Sequence, residues 1–241
     1  LQDAVFNFEC HSGVACFTNC CRNVDMILYP YDIIRLKNAL SLDSENFLRN
    51  HTVLVKGDNI FFPTVKLKLT EDDLPACPFL KREGCTVYVD RPTACRSYPL
   101  ERAVERSPNK RNAEDFYFLT KHPYCLGHQE RKTFTASSWL RNQRLFEHNL
   151  MNDLWAEVDT LFLTNPWKGE GAAGEKQQLA FLVCYNIDGF RRFVEERKIL
   201  SIFRLEKQVR KRITTEDGEL LKFGFEWLKL MLSGVSSLIL K

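Results

Sequence analysis

Apolar residues recur along this chain in two rhythms, and the change between them near residue 135 predicts its organisation. Before it, apolar stretches are short and interrupted. Leu28–Leu40 has Pro30 where a helix would start and a stripe of Ile33, Ile34, Leu36 and Leu40, which predicts a helix. A second short helix is expected over Ser44–Arg49, with Ser44 as its N-cap. Val53–Lys56, Gly57–Asp58–Asn59 and Ile60–Phe62 read as the two strands and turn of a hairpin, and Val65–Leu69 as a further strand. Gly84–Cys85 reads as a turn leading into a strand that reaches Val89. Glu101–Asp115 reads as an exposed loop and Phe116–Leu119 as another strand.

From Ser137 the apolar steps become three and four residues. Trp139, Leu140, Leu145, Phe146, Leu150, Met151, Leu154, Trp155, Val158, Leu161 and Phe162 predict one amphipathic helix ending near Asn165–Pro166. It would be roughly 40 Å long at ~1.5 Å per residue. Lys168–Glu175 reads as a linker, Glu175–Glu196 as a helix and Ile199–Leu205 as a short strand. A last helix opens near Thr215–Glu216–Asp217, with acidic residues in its first turn, and carries Leu220, Leu221, Phe223, Phe225 and Trp227. Such faces are core. The expected fold is α+β: a loop-rich cysteine-cluster domain with short strands over residues 1–135, packed on a mainly helical region over 136–241.

Length and charge narrow the function classes. A chain of 241 residues holds one large or two small domains. A net charge of +3 gives no argument for nucleic acid or an anionic membrane as partner. No apolar run is long enough to span a bilayer. Leu1–Gln2–Asp3–Ala4 is not a signal peptide, although a start at Leu leaves residues upstream open, and the expected location is cytoplasmic.

The nine cysteines change the picture more. An odd count without a secretion signal argues against a pure disulfide framework. Cys184 sits in the apolar run Leu179–Tyr185 and reads as core. Cys10, Cys16, Cys20 and Cys21 fall within twelve residues, too densely for buried inert thiols, and Cys77, Cys85, Cys95 and Cys125 are expected to return to the same place. Soft iron or zinc wants sulfur from several directions at once, so all eight are candidate metal ligands. The gaps are five, three and none, then seven, nine and twenty-nine residues. These match neither the paired couples of a zinc ribbon nor the ferredoxin run. Cys16 and Cys20 share the three-residue gap of radical enzymes that cleave S-adenosylmethionine, but that motif's third cysteine is missing. No glycine-rich phosphate loop, metalloprotease helix or serine-nucleophile elbow is present.

Around the cysteines, Phe6 and Phe8 are expected to pack over Cys10, and Arg22 to offset thiolate charge. Arg91 and Arg96 crowd Cys95 with Pro92 and Pro99. They are expected to surround the cofactor and neutralise its negative charge rather than make ordinary surface ion pairs. His122 and His128 are ligands by type, but eight thiols are available without them. Adjacent side chains such as those of Cys20 and Cys21 point apart in most backbone conformations. The expectation is two metal centres, or one polynuclear centre, bridged at that pair.

These residues also carry a resemblance. The vicinal cysteines, Asp32 and Arg35, Cys77–Pro78–Phe79–Leu80, Cys85, Tyr88, Arg91–Pro92, Cys95–Arg96, Tyr98–Pro99 and Cys125–Leu126–Gly127 together resemble the YkgJ-type cysteine-cluster proteins. The stretch from Arg91 to Pro99 is the most specific part. Tyr185–Phe193 and Leu220–Leu228 are similar to extensions of some members. The resemblance implies zinc or iron chelation, often as an iron–sulfur cluster, and no settled reaction. One departure is Leu126, where the family usually has proline between the last cysteine and glycine.

The leading expectation is therefore an iron–sulfur protein in electron transfer or redox sensing, acting with an unidentified redox or protein partner. A [4Fe–4S] cluster comes first, with two clusters or a larger one open. The alternatives are a structural Zn2+ module whose helical part binds a partner, and a metal-dependent group-transfer enzyme, since a flagellin lysine methylase resembles this family in its cysteine cluster. Against the enzyme, the sequence shows no cofactor-binding motif and no obvious base.

Overall fold

The structure is a computed structural model that describes residues 4–105, 114–170 and 174–241. It is α+β, with helices and small two-stranded antiparallel sheets. The chain divides into two compact units, each discontinuous in sequence: Leu1–Val24 with Leu69–His148, and Asp25–Lys68 with Asn149–Lys241. Residues 25–68 therefore sit with the helices, although in sequence they lie between the two sets of cysteines.

The first unit is built from short ribbons. Phe6–Asn7 pairs with Thr133–Phe134, Leu80–Lys81 with Gly84–Cys85, and Leu100–Glu105 with Glu114–Leu119. Part of the loop expected over Glu101–Asp115 is thus strand; its centre, 106–113, lies outside the described residues. The core of this unit is aromatic and small, with Phe6, Phe8, Phe134 and Trp139 buried beside Leu100, Ala136 and Leu145. Phe8 meets Trp139 edge to face at 5.5 Å and Tyr98 likewise at 5.5 Å. Gly127 is required at one close approach. A Cβ there would stand 2.7 Å from the Glu9 carbonyl oxygen, while Glu9 N–H donates to the Gly127 carbonyl at 3.0 Å.

The second unit carries the larger core. Phe47, Phe162, Phe190, Phe203 and Phe225 are fully buried among the Pro30–Ala39, Ser44–His51, Phe146–Leu163, Glu175–Tyr185, Ile187–Glu196 and Asp217–Ser233 helices. Gly224 lets two helices close up, since a Cβ there would lie 2.6 Å from Val183. Lys37, 5 % exposed, meets Asp217 at 2.9 Å and Asp188 at 3.3 Å. Asp188 also accepts the Ser44 N–H at 2.7 Å, so the buried charges are paired and hydrogen-bonded.

Several expected elements change once tertiary contacts form. The hairpin is Thr52–Val55 with Thr64–Leu67, so Val65–Leu67 rather than Ile60–Phe62 is the second strand. The connection is pulled elsewhere: the Asn59 amide donates to Asp159 at 2.8 Å, and Phe62 packs on Phe162 at 4.4 Å. Asp43, not Ser44, caps the Ser44–His51 helix, accepting the Asn46 N–H at 2.7 Å. The Ser44 hydroxyl instead donates to Asn186 at 2.7 Å. The long helix predicted from Ser137 is two, Ala136–Asn142 and Phe146–Leu163, broken where Arg144 takes φ 53°. At the break, the Gln143 carbonyl accepts from Arg96 at 2.7 Å. The helix predicted over Glu175–Glu196 breaks at Asn186, whose side chain accepts the Gly189 N–H at 3.0 Å. Ile199–Ile202 forms a 3-10 turn rather than a strand. A further helix, Lys207–Thr215, has too few apolar residues to register as periodic.

Candidate metal centre

The thiols reach a common neighbourhood through loops held by backbone bonds. Val14, Phe17, Asn19 and Cys21 each donate three residues back, to His11, Val14, Cys16 and Thr18, so the Cys10–Cys21 loop winds as successive tight turns. Its end joins the second cysteine group directly: Cys77 N–H donates to the Cys21 carbonyl at 2.8 Å, and Arg22 bridges Ala76. Cys85 lies in the ladder with Leu80–Lys81, and Cys95 in the short Thr93–Ser97 helix. Cys125 follows the His122–Cys125 turn, closed by a 2.9 Å bond.

Electrostatics link all eight thiols into one connected set. Burial pushes Cys10 up to about 11, helped by Cys20, Cys16 and Cys125. The Cys20–Cys21 hydrogen bond pulls Cys20 down to about 7 and drives Cys21 far upward, where burial and then Cys20, Cys77 and Cys95 add to it. Burial raises Cys77, with Cys85 and Cys20 nearby, and burial raises Cys85, with Cys20 nearby. Cys20 and Cys21 thus face each other, contrary to the expectation that they diverge. They stand where the Cys10, Cys16, Cys125 side of the set meets the Cys77, Cys85, Cys95 side.

Such a set is costly to ionise without a cation, because each thiolate penalises the next, and a soft metal removes that penalty. The sulfurs are also met by backbone donors. Leu126 N–H donates to Cys16 Sγ at 3.1 Å, Phe79 and Leu80 N–H groups to Cys77, and Val87 N–H to Cys85. Donors of this kind are what metal-bound thiolates use to spread their charge. By donor type and surroundings the residues fit a thiolate-held metal.

A family comparison agrees with metal binding by this region. The family model CxxCxxCC, described as "Putative zinc- or iron-chelating domain", matches residues 9–136, more than half of the chain. This chain belongs to the CxxCxxCC family. No curated protein and no solved structure matches it. The matched span contains all eight clustered cysteines and excludes Cys184, which is 2 % exposed among apolar helices.

The two arginines of this CxxCxxCC chain divide their work. Arg91, 9 % exposed, lies 3.9 Å over the Tyr88 ring, bonds Gln143, and lowers the proton affinity of Cys10 and Cys85. Arg96, 6 % exposed, donates to the backbone carbonyls of Val89 and Gln143 and so ties two loops together.

Sequence reasoning missed Gln143, which no motif marks, and an aromatic stack beside Cys125. His122 lies between Tyr98 and Tyr124, at 5.5 and 5.2 Å and nearly parallel. Burial and a hydrogen bond with Cys125 hold the Tyr98 hydroxyl well above its usual range. Among the described residues, the ligand-type side chains that meet within 4.8 Å are Glu9, His11 and Glu130, and not three of the thiols. His11 Nδ1 accepts the Gly13 N–H at 3.1 Å, which leaves the Nε2 proton facing Glu130 at 3.7 Å. Beside that trio, Lys132 pairs with Glu9 at 3.3 Å.

Proposed function

We propose that Cys10, Cys16, Cys20, Cys21, Cys77, Cys85, Cys95 and Cys125 hold an iron–sulfur centre, and that the protein transfers electrons or senses redox state. The observation that carries this reading is the continuous linkage of eight thiols through the facing Cys20–Cys21 pair. One polynuclear centre, or two centres meeting at that pair, uses every thiol. Backbone N–H groups on Cys16, Cys77 and Cys85 support the same reading, since hydrogen bonds to sulfur set the potential of such centres. Arg91 supplies positive charge beside Cys10 and Cys85. When bound, the group supplies a reversible one-electron change. The chain's own residues hold it, screen its charge and shield it with the Phe8, Tyr98 and Trp139 side of the core.

The test is purification without oxygen, then a visible spectrum with iron, sulfide and zinc analysis. Brown protein absorbing near ~400 nm, with iron and sulfide in similar amounts, is the expected result. Colourless protein with about two zinc ions per chain and no redox change would overturn it and make the cysteines a structural staple.

A further inference from the structure

Between Arg197 and Arg212 the chain carries seven basic residues and one acid, Glu206, although the whole protein is only +3. In this stretch Phe203 faces Leu240 across an antiparallel bridge. Arg204 N–H donates to the Ile239 carbonyl at 2.9 Å, and Lys241 N–H to the Ile202 carbonyl at 3.0 Å. Side chains alternate across such a pairing, so Phe203 turns into the core while Ile202, Arg204 and Ile239 turn outward. Phe203 is 1 % exposed, Ile202 49 % and Ile239 62 %. Exposed cations precede and follow Ile202 in the chain. Lys198 opens the Ile199–Ile202 turn, and exposed Lys207 and Lys211 lie one turn apart on the next helix. That helix is tied to the bridge by Arg210, which donates to the Phe203 carbonyl at 3.5 Å. Among the described residues, the ion pairs of this stretch fall to Arg212, with Glu216 and Glu219, and not to Lys198, Arg204, Lys207 or Lys211.

We propose that this face docks on an anionic phospholipid surface, with Ile202 and Ile239 entering the acyl boundary and Lys198, Arg204, Lys207 and Lys211 on the headgroup phosphates. Exposed aliphatic side chains and uncommitted cations carried by one short stretch are what an interfacial site needs. A nucleic-acid site of equal charge would want aromatic faces for the bases. Glu206 in this stretch, and Glu195 and Glu196 just before it, are also exposed, and the attachment is reversible and salt-sensitive. It concerns the helical unit alone and does not depend on which metal the cysteines hold.

The experiment is sedimentation of the metal-loaded full chain with vesicles of phosphatidylcholine containing one third phosphatidylserine, beside vesicles of phosphatidylcholine alone. Binding to the anionic vesicles, falling with added salt and near background on the neutral ones, is expected. The pair Lys207→Ala/Lys211→Ala lowers the partition coefficient roughly 30-fold. A second variant, Ile202→Ser/Ile239→Ser, weakens binding while leaving the salt dependence in place. All four positions are exposed, and circular dichroism checks that each variant is folded. Equal binding to both vesicle types, no binding to either, unchanged binding by both variants, or displacement from the vesicles by a short oligonucleotide would overturn the proposal.

Discussion

The two units carry the same thiol group in opposite settings. In the helical unit Cys184 is 2 % exposed on the Glu175–Tyr185 helix, and burial pushes it well above its ordinary range. In the cysteine unit eight thiols stay intermediate or exposed, and backbone N–H groups meet Cys16, Cys77 and Cys85. The helical unit fills its interior with five fully buried phenylalanines and closes its charges in the Lys37–Asp188–Asp217 network. The cysteine unit has ribbons of two to six residues and a small aromatic core. Ribbons that short are marginal in water. The difference teaches where cohesion is to be sought: hydrophobic burial in one unit, and in the other the proposed ligation together with a small aromatic core.

The largest test of that contrast is metal removal. After anaerobic chelation, hydrogen exchange should strip amide protection from residues 5–24 and 69–105 by several orders of magnitude, because ligand-binding energy is folding energy in such sites. Residues 175–233 should keep their protection. A uniform loss across both units would break the comparison. Next in size, Phe225→Ala should cost about 3–5 kcal/mol in the helical unit through the cavity it leaves, read as a lowered denaturant midpoint. Metal content per folded chain should not change; a drop would show that the two units are not separable in this way.

A smaller effect sharpens the ligation side. Leu126 is the position where the resembled family usually has proline, and here its N–H reaches Cys16 Sγ at 3.1 Å. Proline cannot donate, yet it suits this site, because Leu126 opens a 3-10 turn and Cys125 before it is extended. Leu126→Pro should therefore leave the fold intact and lower the reduction potential by roughly 40 mV, one lost hydrogen bond to sulfur. An unchanged potential in redox titration would remove that bond from the account.

The smallest expected effect is acid sensitivity in the helical unit. Burial raises Glu226, but bonds from Lys229, the Ser237 hydroxyl and the Ser237 N–H outweigh it and hold the carboxyl at about 2. A depressed carboxyl stabilises the fold above its unfolded value and loses that contribution as pH falls toward about 2. After solvent screening the contribution is about 1 kcal/mol. Glu226→Gln should flatten stability between pH 5 and pH 2, on the order of that amount, in urea titrations at each pH. An identical slope for both proteins would contradict it.

Much of this was legible in the residues. Eight cysteines too dense for inert thiols marked the chelating family, and the three- and four-residue steps marked the helical region, because ligand chemistry and periodicity are local properties. Cys184 was separable from the rest for the same reason: its neighbours are apolar on every side. Boundaries and partners were not legible. Asp43 rather than Ser44 caps a helix because Ser44 is claimed by Asn186, some 140 residues away. One predicted helix broke at Gln143 because its carbonyl serves Arg96, and another at Asn186 because its side chain caps the next helix. The sequence by itself determined the metal-binding family, the fold class and the presence of a helical core. Only the tertiary structure decided that residues 25–68 leave the cysteines for the helices, and that Cys20 and Cys21 face one another. Both depend on contacts between residues far apart in the chain, or on a turn geometry that periodicity does not encode.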